Sequence, residues 1–442
     1  MAEPVTSLPR RDTVPRRSRP VAVAAPQPLR NQGWDLLLVC VAIYIATAVG
    51  RVHEVFPALS LFKPAFLASM LAIGLYLLQQ TGQRRVGCLR SRTTAGIIGL
   101  LLWAALSVPT ALTQGRAFHG WTDFLQTAIM GLVLAGSVRR PRDVERLLLV
   151  YYGVVVVYTL VVLSRFNLGP DNWRLSRLYY YDANDFATLV VTAMPFGLYF
   201  VLRLRRPAVR LLVLAGLAAL AVAQIRSGSR GGFIALLAVV AFVLLRFTTV
   251  PARARFAGAL LILTVAVGAS SDQYWTQMQT IIHPKADYNM TAEGGRIRIW
   301  KRGLGYMAAR PITGVGINNF QVAEGTISPL ARRAERGFGV RWGAAHNTFI
   351  QAGAEMGVPG LLLLIGWLAA TFMALRRTAR RALAADPPNR EVSRLAQTLM
   401  ASLLGFVVGS FFLSLAYSDM LYTLGGLSLG LWKTARLTRP AT

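Results

Sequence analysis

The chain has 442 residues, of which 54% are hydrophobic and only 15% charged, more apolar surface than a water-soluble core can bury, so a soluble globular enzyme is excluded. The formal net charge of +29 comes with no nucleic-acid-binding motif. Two cysteines, Cys40 and Cys88, are too few for a disulfide framework or a thiolate metal site.

Residues 1–33 contain six Pro and six Arg with few large apolar side chains, and read as a disordered cytoplasmic tail. Ala46 and Ala48 form the A-x-A pattern of a cleaved leader. Cleavage there would put the C-terminus at odds with its charge, so the first apolar run is read as a retained span. Twelve apolar runs near the bilayer-spanning length follow: 34–50, 57–78, 94–113, 119–138, 147–165, 185–202, 209–225, 231–249, 256–271, 357–375, 395–415 and 419–435. The segments between them alternate in charge. One set holds 30 of the 48 Lys and Arg, while the short segments of the other set hold 8. By the positive-inside rule both termini are cytoplasmic, and residues 272–356 form a long outward loop between the ninth and tenth spans. The predicted fold is all-α: a polytopic integral membrane protein of about twelve transmembrane helices, one domain over 34–437, with a helix-containing loop inserted. The basicity is then topological and suits anionic lipid headgroups.

The spans carry almost no charge at mid-depth, which weighs against an ion-coupled transporter. Ionisable residues gather at the outward ends instead. In RLSRLYYYDANDFA, Tyr179, Tyr180 and Tyr181 suit the headgroup level, and Asp182, Asn184 and Asp185 stand where they either cap a helix or meet substrate. In RSGSRGG, Arg226 and Arg230 are forced to the membrane surface by a short turn whose glycines allow close approach. Arginine grips phosphate oxygens at two points, so this turn is read as a ligand site rather than a pair of snorkelling side chains.

Over 293–320, Arg296, Trp300, Gly303 and Met307 share one helical stripe, ended by Pro311. Arg296 is expected to face the Arg226–Gly232 turn, and Arg298, Lys301 and Arg302 to lie along the bilayer surface. Residues 321–345, with Arg332, Arg333, Arg336 and Arg341, lack apolar periodicity and read as a flexible cover. His346 then stands at a soluble-to-apolar junction, followed by a polar stripe of Asn347, Gln351 and Glu355 at helical spacing. If His346 lies in the first turn of that helix, the positive helix end helps keep its ring neutral, as a general base must be; a structural, hydrogen-bonded histidine is the other reading. Asp419, at the outward end of the last span, either orients an imidazole or caps a helix.

The second half of the chain resembles the O-antigen ligase and polymerase family of membrane glycan transferases. The resemblance rests on DANDFA (182–187), SRGGF (229–233), GRIRIWKRGLGYMAARPITGVGINNF (295–320) and HNTFIQAGAEMGVPGL (346–361), in that order. It implies an inner-membrane enzyme of lipopolysaccharide biosynthesis with a periplasmic active site and no nucleotide, metal or other cofactor. Its partners would be an undecaprenyl-diphosphate-linked glycan as donor and a sugar hydroxyl as acceptor, in the ligases a sugar of lipid A-core. The family's essential arginines fall on Arg230 and Arg296 and its catalytic histidine on His346. Asp419 matches less closely, because the spacing differs there and no motif surrounds it. A polymerase with the same donor, a protein O-oligosaccharyltransferase and a lipid-linked glycan transporter are the alternative readings. The residues agree with transfer: two arginines to neutralise a departing diphosphate and a histidine to take the acceptor proton.

Overall fold

The computed structural model describes residues 33–166, 173–175, 181–283, 285, 287–292, 294–331 and 343–437. The tail up to residue 32, Tyr179, Tyr180 and the four arginines of the expected cover lie outside the described residues. Residues 33–35 have no regular structure, and from Leu36 onward the chain is one compact unit.

Among the described residues every regular element is helical. The first half consists of α1 (Leu36–Tyr44, continued by a π-helical turn Ile45–Val49), α2 (Val52–Val55), α3 (Pro64–Leu78), α4 (Arg92–Ser107), α5 (Gln114–Ser137) and α6 (Pro141–Arg165). Next come α7 (Ala183–Arg203), α8 (Pro207–Arg226), α9 (Arg230–Arg246), α10 (Ala252–Ala269) and α11 (Asp272–Gln279). The chain closes with α12 (Tyr288–Thr291), α13 (Arg296–Ala309), α14 (Phe320–Thr326), α15 (Thr348–Leu383), α16 (Arg390–Ser410) and α17 (Asp419–Leu437). Each of the twelve apolar runs falls on one of these helices. Six helices, α6, α7, α8, α10, α15 and α16, are long and apolar enough to cross a membrane, and α1 with its extension, α3 and α4 are shorter apolar helices.

Helix starts follow local chemistry. Proline opens α3, α6 and α8, where its missing N–H costs nothing. Ser91, Asp182, Ser229, Asn347 and Asn389 each cap a helix with a side-chain oxygen. The centre of the bundle is α7, α16 and α17, whose side chains are mostly buried. Trp367 of α15 stacks on Tyr422 of α17 at 4.8 Å, and Gly96 and Gly425 leave room for the indole, since a Cβ at either would come within 3 Å of it.

Residues 311–320 wedge between the α4–α5 hairpin and α15. Ser107 Oγ accepts from the Ile317 N–H, the Leu112 N–H donates to the Val315 carbonyl, and the Asn319 side chain accepts from the Thr113 N–H. On the other side, α15 is broken at Gly357, whose φ of 70° is left-handed. The wedge supplies partners there: Val315 and Gly316 donate to the carbonyls of Ala354 and Glu355, and Val358 donates to that of Pro311. A Cβ on Gly357 would stand 2.3 Å from the Ile312 carbonyl oxygen, so only glycine fits.

One expectation is corrected here. Arg298 and Lys301 are exposed, but Arg302 does not lie on a bilayer surface. Its Nε sits 2.8 Å and its Nη2 2.5 Å from the Glu324 carboxylate, which is 1% exposed and also accepts from the Tyr306 hydroxyl at 2.7 Å. Hydrogen bonding to Glu324 holds the guanidinium pKa above its ordinary value. The predicted stripe on α13 is a packing face: Trp300 meets Phe411 edge to face at 5.6 Å, and Gly303 admits Ile350 and Phe320.

Candidate functional site

Two polar cavities meet at the first turn of α7. Asp182 caps that turn, its Oδ1 accepting from the N–H groups of Asn184 at 2.7 Å and Asp185 at 2.9 Å. The neighbours Asn184 and Asp185 then part company, Asn184 lining one cavity and Asp185 the other.

The first cavity, of about 460 Å3, contains both Arg230 and Arg296. Arg230 is the first residue of α9, set by the Ser229 cap, which accepts from Gly232 N–H at 3.1 Å. Its Nη1 lies 2.7 Å from Asp287 Oδ2 and 2.5 Å from Thr280 Oγ1. Arg296 is the first residue of α13, after the Gly295 N-cap position. The turn preceding Arg230 is held from outside. Arg174 Nε donates to the Ser227 carbonyl at 2.8 Å, and Gln277 Nε2 donates to the Gly228 carbonyl at 2.5 Å. Burial acting alone would raise the Asp287 carboxyl; hydrogen bonds from Asn289 and Arg230, with the Arg230 charge, bring it below the ordinary carboxylate range.

The second cavity, of about 550 Å3, is lined by His346, Asp182, Asp185 and Asp419, together with Arg51 and Asp123. His346 occupies a left-handed conformation, φ 46°, and its N–H donates to Ser414 Oγ at 2.9 Å. It precedes the helix and is not in its first turn, so the condition under which the helix end would keep its ring neutral is not met. The cap is Asn347, whose Oδ1 accepts from the N–H groups of Phe349 and Ile350 at 2.9 and 3.0 Å. The start of α15 is stitched to residues 413–416: Thr348 Oγ1 donates to the Leu413 carbonyl, and Gln351 Oε1 accepts from Ala416 N–H. Asp419 is the first residue of α17, and its Oδ1 accepts from the Tyr44 hydroxyl at 2.9 Å and from Thr127 at 3.1 Å.

The sequence-selected residues thus separate into groups. Arg230, Arg296 and Asn184 share one cavity; His346, Asp182, Asp185 and Asp419 share the other. Asn347, Gln351 and Glu355 are committed to backbone, Glu355 Oε1 accepting from Phe320 N–H at 3.1 Å, and none of the three lines either cavity. Arg226 also lies outside both linings; its carbonyl accepts from Leu175 N–H at 2.8 Å. Sequence reasoning missed Arg51, Asp123 and Asp287. Arg51 and Asp123 did leave a signal, a charge just past the first apolar run and a lone carboxylate inside the fourth. Asp287 left none, sitting among polar residues of a long loop.

Among the described residues no group of three His, Cys, Asp or Glu side chains is placed to hold a metal ion. The arrangement offers instead two arginines for an anion beside a cavity holding an imidazole and carboxylates. No curated protein matches the chain. A family model described as O-antigen ligase matches residues 215–365, about a third of the chain and the segment that carries Arg230, Arg296 and His346.

Proposed function

We propose that the protein is an O-antigen ligase-type glycosyltransferase. It moves a glycan from undecaprenyl diphosphate to a sugar hydroxyl of lipid A-core, at the periplasmic face of the inner membrane, with both termini cytoplasmic. The observation that carries the reading is the convergence of Arg230 and Arg296 on one cavity, with His346 in the other and the first turn of α7 contributing to both.

In this reading the donor diphosphate lies in the arginine cavity, where Asp287 and Thr280 hold the Arg230 guanidinium in its absence. The acceptor hydroxyl enters the second cavity and gives its proton to His346. Its oxygen bonds to the anomeric carbon as the bond from that carbon to the diphosphate oxygen breaks, inverting the centre. The negative charge left on the diphosphate falls to Arg230 and Arg296, preorganised donors where charge develops. Asp419, held by Tyr44 and Thr127, sets the polarity of the His346 cavity.

The test is reconstitution in proteoliposomes with undecaprenyl-diphosphate-linked glycan and, separately, lipid A-core, a second donor molecule or a peptide as acceptor. Glycan on lipid A-core without added ATP or metal is the expected product. Chain growth on the donor alone would make the protein a polymerase, glycopeptide a protein oligosaccharyltransferase, and movement of intact donor across the bilayer a transporter.

A further inference from the structure

A third cavity, of about 360 Å3, lies far along the helices from the His346 end, enclosed by α7, α8, α9 and α10. Its wall is apolar, with Pro195, Leu214, Ala221, Val240 and Ile262 among the lining residues, and none of the lining side chains is acidic. Two charged residues complete it: Arg210, in the first turn of α8, and Arg255, in the first turn of α10.

Three observations point to an occupant. First, α10 is long and apolar enough to span a membrane, yet none of its residues is fully buried, and it packs on the bundle only through partly buried side chains such as Ile262 and Val265, with the cavity behind it. Apolar surface of that kind is covered either by protein or by hydrocarbon. Second, Pro195 sits inside α7 and lines the cavity, and its missing N–H leaves that turn of the helix one hydrogen bond short. Third, Arg255 is half-buried, its Nη1 donating to the Leu244 carbonyl, while its Nε is buried without a partner. A guanidinium set in the wall of an apolar cavity is costly without a counter-charge, and a phosphate reaching it through the cavity would supply one.

We propose that this cavity binds one anionic phospholipid, an acyl chain filling the space behind α10 and the headgroup phosphate held by Arg210 and Arg255. Basic pockets between membrane helices take such headgroups, and the absence of any carboxylate from the lining keeps the pocket selective for negative charge. The site is separate from the glycan-transfer cavities and does not depend on how they are read.

The test uses the full chain purified in detergent with added phosphatidylglycerol or phosphatidylcholine, followed by native mass spectrometry and thermal unfolding. Wild type retains one phosphatidylglycerol in preference to phosphatidylcholine and gains thermal stability from it. The double variant Arg210→Ala/Arg255→Ala loses that preference at least tenfold, whereas Arg253→Ala, a neighbour absent from the lining, keeps it. Gly258→Phe provides a second arm: a Cβ at Gly258 meets nothing within 4 Å, so the ring enters the cavity without a clash and displaces the lipid from a folded protein. Equal retention of both lipids by wild type, retention in the double variant matching Arg253→Ala, or recovery of a polyprenyl phosphate in place of a diacyl lipid would each overturn the proposal.

Discussion

Arg230 Nη1 lies 2.7 Å from Asp287 Oδ2, and both side chains are largely withdrawn from water, 18% and 11% exposed. The arginine on which the SRGG-type motif centres is therefore already engaged by a carboxylate, which the diphosphate of the proposed donor would displace. Asp287→Asn removes that competitor. An ion pair of this exposure contributes about 1 kcal/mol, so the donor KM is expected to fall about fivefold with kcat little changed. A raised KM would show instead that Asp287 serves to aim Arg230. The same pair predicts a pH dependence. Because the folded carboxyl titrates below its ordinary value, its stabilising contribution is complete above about pH 4 and is lost as the pH falls through the lower, folded value. The difference in unfolding temperature between wild type and Asp287→Asn should be constant from neutral pH down to about 5 and shrink only below about 4.

Arg230→Lys and Arg296→Lys keep the charge but lose the planar fork, and each should slow glycan transfer by about 30- to 1000-fold, equivalent to roughly 2 to 4 kcal/mol of barrier. Arg298→Lys, exposed on the same helix as Arg296, should transfer at the wild-type rate. The reverse pattern would place the donor on the other face of α13.

His346→Ala should keep donor affinity while turnover falls by about 100- to 10,000-fold. His346→Gly is the matching control for backbone strain, because glycine adopts the left-handed conformation of this position at no cost. It should be as inactive as the alanine variant and at least as stable. Lost donor binding in both variants would make the histidine a ligand and move the base to Asp419 or Asp185.

Glu324→Gln should destabilise the protein by about 3 to 5 kcal/mol, since it strands the Arg302 guanidinium beside a buried neutral group. Thermal unfolding in detergent checks this, and Arg302→Met/Glu324→Leu should recover much of the loss. An unchanged unfolding temperature for the single variant would show the pair to be incidental.

Reporters fused at Gly325 and Asp386 should lie on opposite faces of the membrane, as the 30-to-8 division of basic residues requires. Both on one face would break the twelve-span topology.

The helices were legible because apolar run length and capping residues are local properties: each of the twelve runs became a helix. The pairing of Arg230 with Arg296 in one cavity was legible from glycine-rich turns and a helical stripe. Illegible were the contacts that only tertiary structure creates. Asn347, Gln351 and Glu355 look like a substrate-facing stripe at helical spacing, yet Asn347 caps the first turn of α15 itself, and Gln351 and Glu355 accept from the backbone of segments packed against it. Arg302 reads as one more surface cation until Glu324, 22 residues on, folds back beneath it. Asp287 has no periodic or compositional mark, and only the approach of α9 gives it a role.

The break at Gly357 divides α15 into two rods sharing one joint. The rod capped by Asn347 is fastened sideways to residues 315–316 and 413–416, and the other rod is tied to the wedge at its first residue, where Val358 donates to the Pro311 carbonyl. A bilayer mismatched to the second rod would tilt it, and the glycine joint, not a continuous helical ladder, would stand between that tilt and the cap beside His346. Membrane thickness would thereby be uncoupled from the alignment of the histidine, a mechanical independence that a continuous helix through the same residues would forfeit.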